Sequence, residues 1–180
     1  MNKYITTIRA SVALAAVATL VAFAPQANAA LTKAQSDSVK AAKTSKSALL
    51  AAAKAIVANA TDKTQAAKDV AALVATEAPG MAAYVVGGLS LDNKAAAPGI
   101  AAAAAQANSS VAVDVAKAAA VAASAYAAQI ISQVSGVASS TMAGAIRIAV
   151  YLGQALAQSQ EGVQQLNTGT NPADVSTSAR

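Results

Sequence analysis

Apolar positions along this chain recur at helical spacing, and polar ones punctuate them. Thr32 with Gln35 forms a capping box, which predicts a helix from about Lys33 to Asn59. Val39, Leu49, Leu50, Ala53, Ile56, Val57 and Ala60 share one face of it, although Lys46 falls there too, so the pattern is clean only after Ser47. Asp62 with Gln65 opens a second helix, roughly Lys63 to Glu77, with Val70, Leu73 and Val74 on one side. A third places Met81, Tyr84, Val85 and Gly88 on a core-facing stripe, after which Gly87-Gly88 loosens the chain into a loop at Ser90-Leu91-Asp92-Asn93-Lys94. Ile100 and the alanines to Ala105 form the next, ended by Asn108-Ser109-Ser110. A longer helix is predicted from Val111 to about Val134, with Asp114 suited to the dipole of its first turn and Ser135-Gly136 as its stop. Ser139, Ser140 or Thr141 caps a last helix to about Gln160. There Met142, Ile146, Ala149, Gly153, Leu156 and Val163 alternate in a coiled-coil-like seam.

One hexapeptide appears twice. Ala78-Pro79-Gly80-Met81-Ala82-Ala83 returns as Ala97-Pro98-Gly99-Ile100-Ala101-Ala102, an offset of 97 − 78 = 19 residues, with a weaker echo at Ala67-Lys68-Asp69-Val70-Ala71-Ala72. Pro79-Gly80 and Pro98-Gly99 read as helix breakers, since Pro ends one helix and suits the first turn of the next. The expected fold is all-α: an Ala-rich helical bundle or short helix–turn–helix stack of about five to six helices of unequal length. It would occupy residues 30–166, followed by a polar tail, 167–180, whose composition suggests disorder.

Most of the 56 % hydrophobic content is alanine, which changes what packing can supply. Alanine is the best helix former, and its small side chain lets backbones approach closely. Each buried methyl removes little apolar area from water, so helices form readily and gain little by each contact. That favours many tight contacts, or oligomers.

The first 29 residues read as a secretory signal peptide of bacterial type. Lys3 and Arg9 form the positive region, Ser11 to Ala24 is apolar, and Pro25 precedes the small-x-small cleavage site Ala27-Asn28-Ala29. Removing Lys3 and Arg9 takes Lys+Arg from 13 to 11 against 8 acids, about +3 and scattered, which does not make a nucleic-acid footprint. The chain has no Cys and no His, so the usual zinc sites, thiol nucleophiles and His-based acid–base catalysis are excluded. No cofactor and no small-molecule substrate is implied. Asp69 and Glu77, and Ser45 and Ser47 around Lys46, read as helix-surface residues rather than catalytic pairs.

Residues 118–146 carry no charge. Were one helix to continue through Gly136, then Ser132, Gly136, Ser140 and Gly144 would form a small-xxx-small packing seam. The preferred reading is an exported, non-enzymatic structural or interaction protein of the periplasm, cell surface or matrix, associating with itself through Ala-rich helix faces. The alternative is a membrane-active or lipid-binding protein, using Lys33, Lys40, Lys43 and Lys46 on anionic lipid together with the uncharged run 118–146. A third is ice binding by Ala-rich helices, against which Thr61, Thr64 and Thr76 are each followed eleven residues on by Ala or Gly rather than Thr. If the leader is read correctly, intact-mass measurement of the protein exported from a Gram-negative host finds a chain that begins at Ala30.

Overall fold

Alanine's helix propensity is realised throughout, and no strand occurs among the described residues. The computed structural model describes the backbone of residues 31–167 and the side chains of 31–160; the expected signal peptide, 1–29, and the tail from 168 lie outside the described residues. Among the described residues eight α-helices follow one another. They are α1 Lys33–Ala42, α2 Lys46–Ala58, α3 Lys63–Glu77, α4 Pro79–Asp92, α5 Ala97–Ala107, α6 Ala112–Ala122, α7 Ala127–Val137 and α8 Ala143–Asn167.

The expected five to six helices become eight because two long ones are cut. The first breaks after Lys43, and Ser45 caps α2 by accepting a hydrogen bond from the Ala48 N–H at 3.4 Å. The helix expected from Val111 to Val134 is interrupted at Ala123, whose φ of −140° and ψ of 59° leave the helical region. Two expected stops fail in the opposite sense. α4 runs through Gly87-Gly88 to Asp92, and α7 runs through Ser135-Gly136 to Val137. Gly88 lies beneath Leu50 of α2, where a Cβ would crowd the leucine, and Gly87 lies beside Ala118 of α6 at a distance that would admit a Cβ, so both stand within packed helix rather than in a turn.

From α3 onward, consecutive helices meet at joints of one residue. Ala78, Asn93, Asn108 and Ala123 each donate their N–H back to the carbonyl four residues earlier, at 2.8–3.2 Å, closing the helix behind them. The same residue's carbonyl accepts the N–H three residues ahead, at 2.9–3.2 Å, opening the next turn. Only the last joint, Ala138-Ser139, has two residues. After Asn93, Asn108, Ala123 and Ser139 the chain makes one 3₁₀ turn before the α-helix starts. The asparagines add side-chain bonds that alanine cannot make. Asn93 Nδ2 donates to Thr64 Oγ1 at 3.3 Å, and Asn108 Nδ2 donates to the Ala75 carbonyl at 3.0 Å, both tying joints to α3.

Counting from the joints exposes the structural period. Val70, Val85, Ile100, Val115 and Ile130 are 15 residues apart, Ile146 follows 16 later, and all six are fully buried. Three residues before each stands an alanine: Ala67, Ala82, Ala97, Ala112, Ala127 and Ala143. The 19-residue hexapeptide spacing is therefore not the structural repeat. Ala67-Lys68-Asp69-Val70 and Ala97-Pro98-Gly99-Ile100 are in register, whereas Pro79-Gly80 lies one helical turn early. Pro79 opens α4 directly after its joint, while Pro98 enters α5 behind the 3₁₀ turn Lys94–Ala96. Neither position needs an intrahelical N–H, so proline fits both.

With joints this short, each helix packs chiefly on the next and on the next but one. α3, α5 and α7 form one row and α4, α6 and α8 the other, a two-layer helix–turn–helix array. Its interior is made of alanine methyls such as Ala101, Ala104, Ala105, Ala116, Ala119 and Ala120, with few larger side chains: α5 buries Ile100 and α6 buries Val115 among them. Tyr84, expected on the core stripe, is 46 % exposed. α8 comes close to the backbone of its neighbour: a Cβ on Gly153 would stand 2.6 Å from the Lys117 carbonyl of α6 and 3.1 Å from the Ala120 Cβ. Gly153→Ala is accordingly expected to lower the denaturant midpoint followed by circular dichroism, by roughly 1–3 kcal/mol of overpacking. Gly144→Ala, where nothing stands within 4 Å, should be neutral or slightly stabilising.

Candidate functional site

Charge is distributed very unevenly along the array. α1 to α3 carry seven lysines and four acids within residues 31–77, whereas the described side chains of α7 and α8 include one charged residue, Arg147. At the charged end, Lys33 Nζ meets Asp37 Oδ2 at 2.7 Å, Lys40 Nζ meets Glu77 Oε1 at 3.4 Å, and Lys54 Nζ meets Asp92 Oδ2 at 3.0 Å. The hydrogen bond between them raises the Lys33 pKa and lowers that of Asp37. Both groups are fully exposed, so the pair adds little to stability. Lys40–Glu77 and Lys54–Asp92 tie α1 to α3 and α2 to α4. Part of the expected basic surface is thus spent on holding the first helices in place.

The opposite end is built on α8. One face of this helix enters the core through Ile146, Ala149, Val150, Gly153 and Ala157. The other leaves Ile148 64 %, Tyr151 57 %, Leu152 54 % and Leu156 45 % exposed, at helical spacings that align them in one row. A helix apolar on both faces ordinarily has both covered. The coiled-coil-like seam expected on this helix is divided accordingly: Ile146, Ala149 and Gly153 are buried, Met142 is half-buried, Leu156 belongs to the open row, and the side chain of Val163 lies outside the described residues. Sequence reading missed Ile148, Tyr151 and Leu152 as a second face. The signal was there, since residues 146–157 hold only two polar side chains, Arg147 and Gln154, on one side of the helix and apolar ones around the rest.

The small-residue ladder does not form an internal seam. Ser132 and Gly136 are on α7, Ser140 is in the 3₁₀ turn after the joint and Gly144 starts α8; all four are exposed. No atom stands within 4 Å of a Cβ built on Gly136 or Gly144. Among the breakers, Pro79 and Gly80 are exposed, Pro98 is buried, and a Cβ on Gly99 would meet Lys68 Cε at 2.8 Å. Ala27 and Ala29 lie outside the described residues.

Candidate reactive groups remain scattered. Asp69 accepts a hydrogen bond from Gln65 Nε2 at 2.8 Å, Glu77 faces Lys40, and Ser45 is engaged as the α2 cap. Ser90 and Ser135 have buried hydroxyls without a hydrogen-bond partner, but they lie on different helices, α4 and α7. Among the described residues no group of three or more acidic, His or Cys side chains could hold a metal, and no helix is long and apolar enough to cross a membrane. The chain matches no protein family, no curated protein and no solved structure. What stands out physically is the uncharged, apolar row on α8.

If that row is surface rather than core, two isoleucines one step apart must respond differently to truncation. Ile146→Ala should lose about 2–5 kcal/mol in equilibrium unfolding. Ile148→Ala should change stability by no more than about 0.5 kcal/mol when measured at a concentration where the protein is monomeric.

Proposed function

We propose that this is an exported, non-enzymatic structural or interaction protein, of the periplasm, cell surface or matrix, whose working property is association with itself. The observation that carries the reading is the open apolar row of Ile148, Tyr151, Leu152 and Leu156 on an end of the array nearly free of charge. Contiguous exposed apolar patches of this kind mark interaction sites. The export step rests on the sequence of residues 1–29, and the non-enzymatic reading on a chain without His or Cys.

The alanine faces anticipated as the association surface are largely consumed by packing within the chain, as Ala101, Ala104, Ala112, Ala116 and Ala119 are fully buried. Association falls instead to the bulkier side chains of α8. The lipid-binding alternative is weaker on geometry: its lysines, Lys33, Lys40, Lys43 and Lys46, belong to α1 and α2, at the other end of the packing order from the apolar row. An interfacial helix needs both on one element.

Sedimentation equilibrium of the exported protein over a wide concentration range tests the reading. A reversible rise in mass above the monomer is expected. A monomer at all concentrations, or co-flotation with anionic vesicles in place of self-association, removes it.

A further inference from the structure

We propose that the exposed row on α8 is a self-complementary docking face that joins two copies of this chain end to end about a two-fold axis, and closes the assembly at that point. The inference rests on the self-association proposed above and specifies its surface and symmetry.

The register of the array identifies the face. Gly87 of α4 is the ninth residue after its joint, Ala78, and lies against Ala118 of α6, the next helix but one. Lys117 of α6 is ninth after Asn108, and its carbonyl lies under Gly153 of α8, again the next but one. The backbone N–H of Val121, thirteenth after Asn108, borders the same contact. Counted from Ser139, the ninth and thirteenth residues of α8 are Ile148 and Leu152. Ile148 therefore stands at the position that receives a further helix on α4 and α6, and Leu152 at one that does so on α6. Residues 168–180 do not carry the sequence of such a helix: their apolar members are Ala173, Val175 and Ala179, Pro172 stands among them, and the Ala-x-x-Val/Ile unit is missing.

The occupant is set by charge. α1 buries only Val39 and presents Lys33, Lys40 and, just beyond it, Lys43, which gives the array's first end the polar outer face of a terminal cap. Head-to-tail stacking would press those lysines, together with the exposed Lys33–Asp37 pair, onto Ile148 and Leu152, and desolvating charged groups against an apolar row is costly. The α8 face can meet its own copy at lower cost, because Ile148, Tyr151, Leu152 and Leu156 are uncharged and Arg147 is the one charged side chain described beside them. A surface that pairs with itself is isologous and closes as a dimer, whereas head-to-tail contacts propagate into filaments.

The experiment uses the exported protein, unaltered and in single-residue variants. For the unaltered chain, sedimentation should show a monomer–dimer equilibrium with no larger species. Leu152→Glu and, independently, Ile148→Glu should weaken dimerisation at least tenfold while leaving the helical circular-dichroism signal unchanged. The chain has no cysteine of its own, so single-cysteine variants report contacts cleanly. Under mild oxidation Leu152→Cys should convert to a covalent dimer, and Lys43→Cys, at the capped end, should stay monomeric on a denaturing gel. A mass that keeps growing with concentration, association unaffected by both glutamates, or equal cross-linking through Lys43→Cys overturns the two-fold α8 face while leaving self-association standing. A monomer at every concentration overturns both.

Discussion

The joint of a single non-helical residue is the constraint on which the rest of this structure depends. At Ala78, Asn93, Asn108 and Ala123 one residue closes a helix with its N–H and opens the next turn with its carbonyl. There is no slack between such helices, so each must fold back beside its neighbour and lie against the helix after that. The spacing between rows is then dictated by the joint, and only small side chains fit. This accounts for an interior of alanine and for Gly153 at a close crossing. Helices of eleven residues, such as α5, α6 and α7, are too short to be stable alone. The array holds because each helix is covered on several sides, one buried Val or Ile anchoring its centre, in the near-neighbour fashion of repeat proteins.

An array of this kind has two ends, and they are finished differently here. The first is closed by a short helix with one buried residue and several exposed lysines, stapled inward by Lys40–Glu77. The last helix, α8, is 25 residues long, more than twice the length of α5, α6 or α7, and apolar on two faces. Because stability in such a stack is local, the state of one end has little effect on the other. The uncovered face of α8 is therefore tolerated by the fold while remaining available to a partner.

The helical class was legible from alanine content and periodicity, and so were the ends that use conventional chemistry. Thr32 with Gln35, Asp62 with Gln65, and Asn108 all cap as their residue types predict. The break at Ala123 was not legible, because a one-residue joint asks only for backbone outside the helical region, and alanine gives no sign of supplying it. Gly87-Gly88 and Ser135-Gly136 mislead in the other direction: glycine reads as a breaker where close packing or an exposed helix end admits it. The 15-residue period is present as Ala-x-x-Val or Ala-x-x-Ile but drowned among other alanines, while the more conspicuous Pro-Gly pairs mark two different points of the unit. The open row on α8 escapes a search for one seam at four-and-three spacing, because residues 146–157 support two.

The kind of contact made at one register position bears on why α8 differs. On α4 and α6 the next helix but one lies against Gly87 and against the main-chain carbonyl of Lys117, since a covalently tethered neighbour arrives at a fixed, short distance. Tethering also means that its arrival costs little additional entropy, so a contact made of methyls suffices. A partner that is not tethered must offset the loss of translational and rotational freedom, which alanine's area cannot do. Nor is its distance set by a joint, so larger side chains can be accommodated. Ile148, Tyr151, Leu152 and Leu156 meet both conditions, presenting bulk where the interior of the array presents almost none.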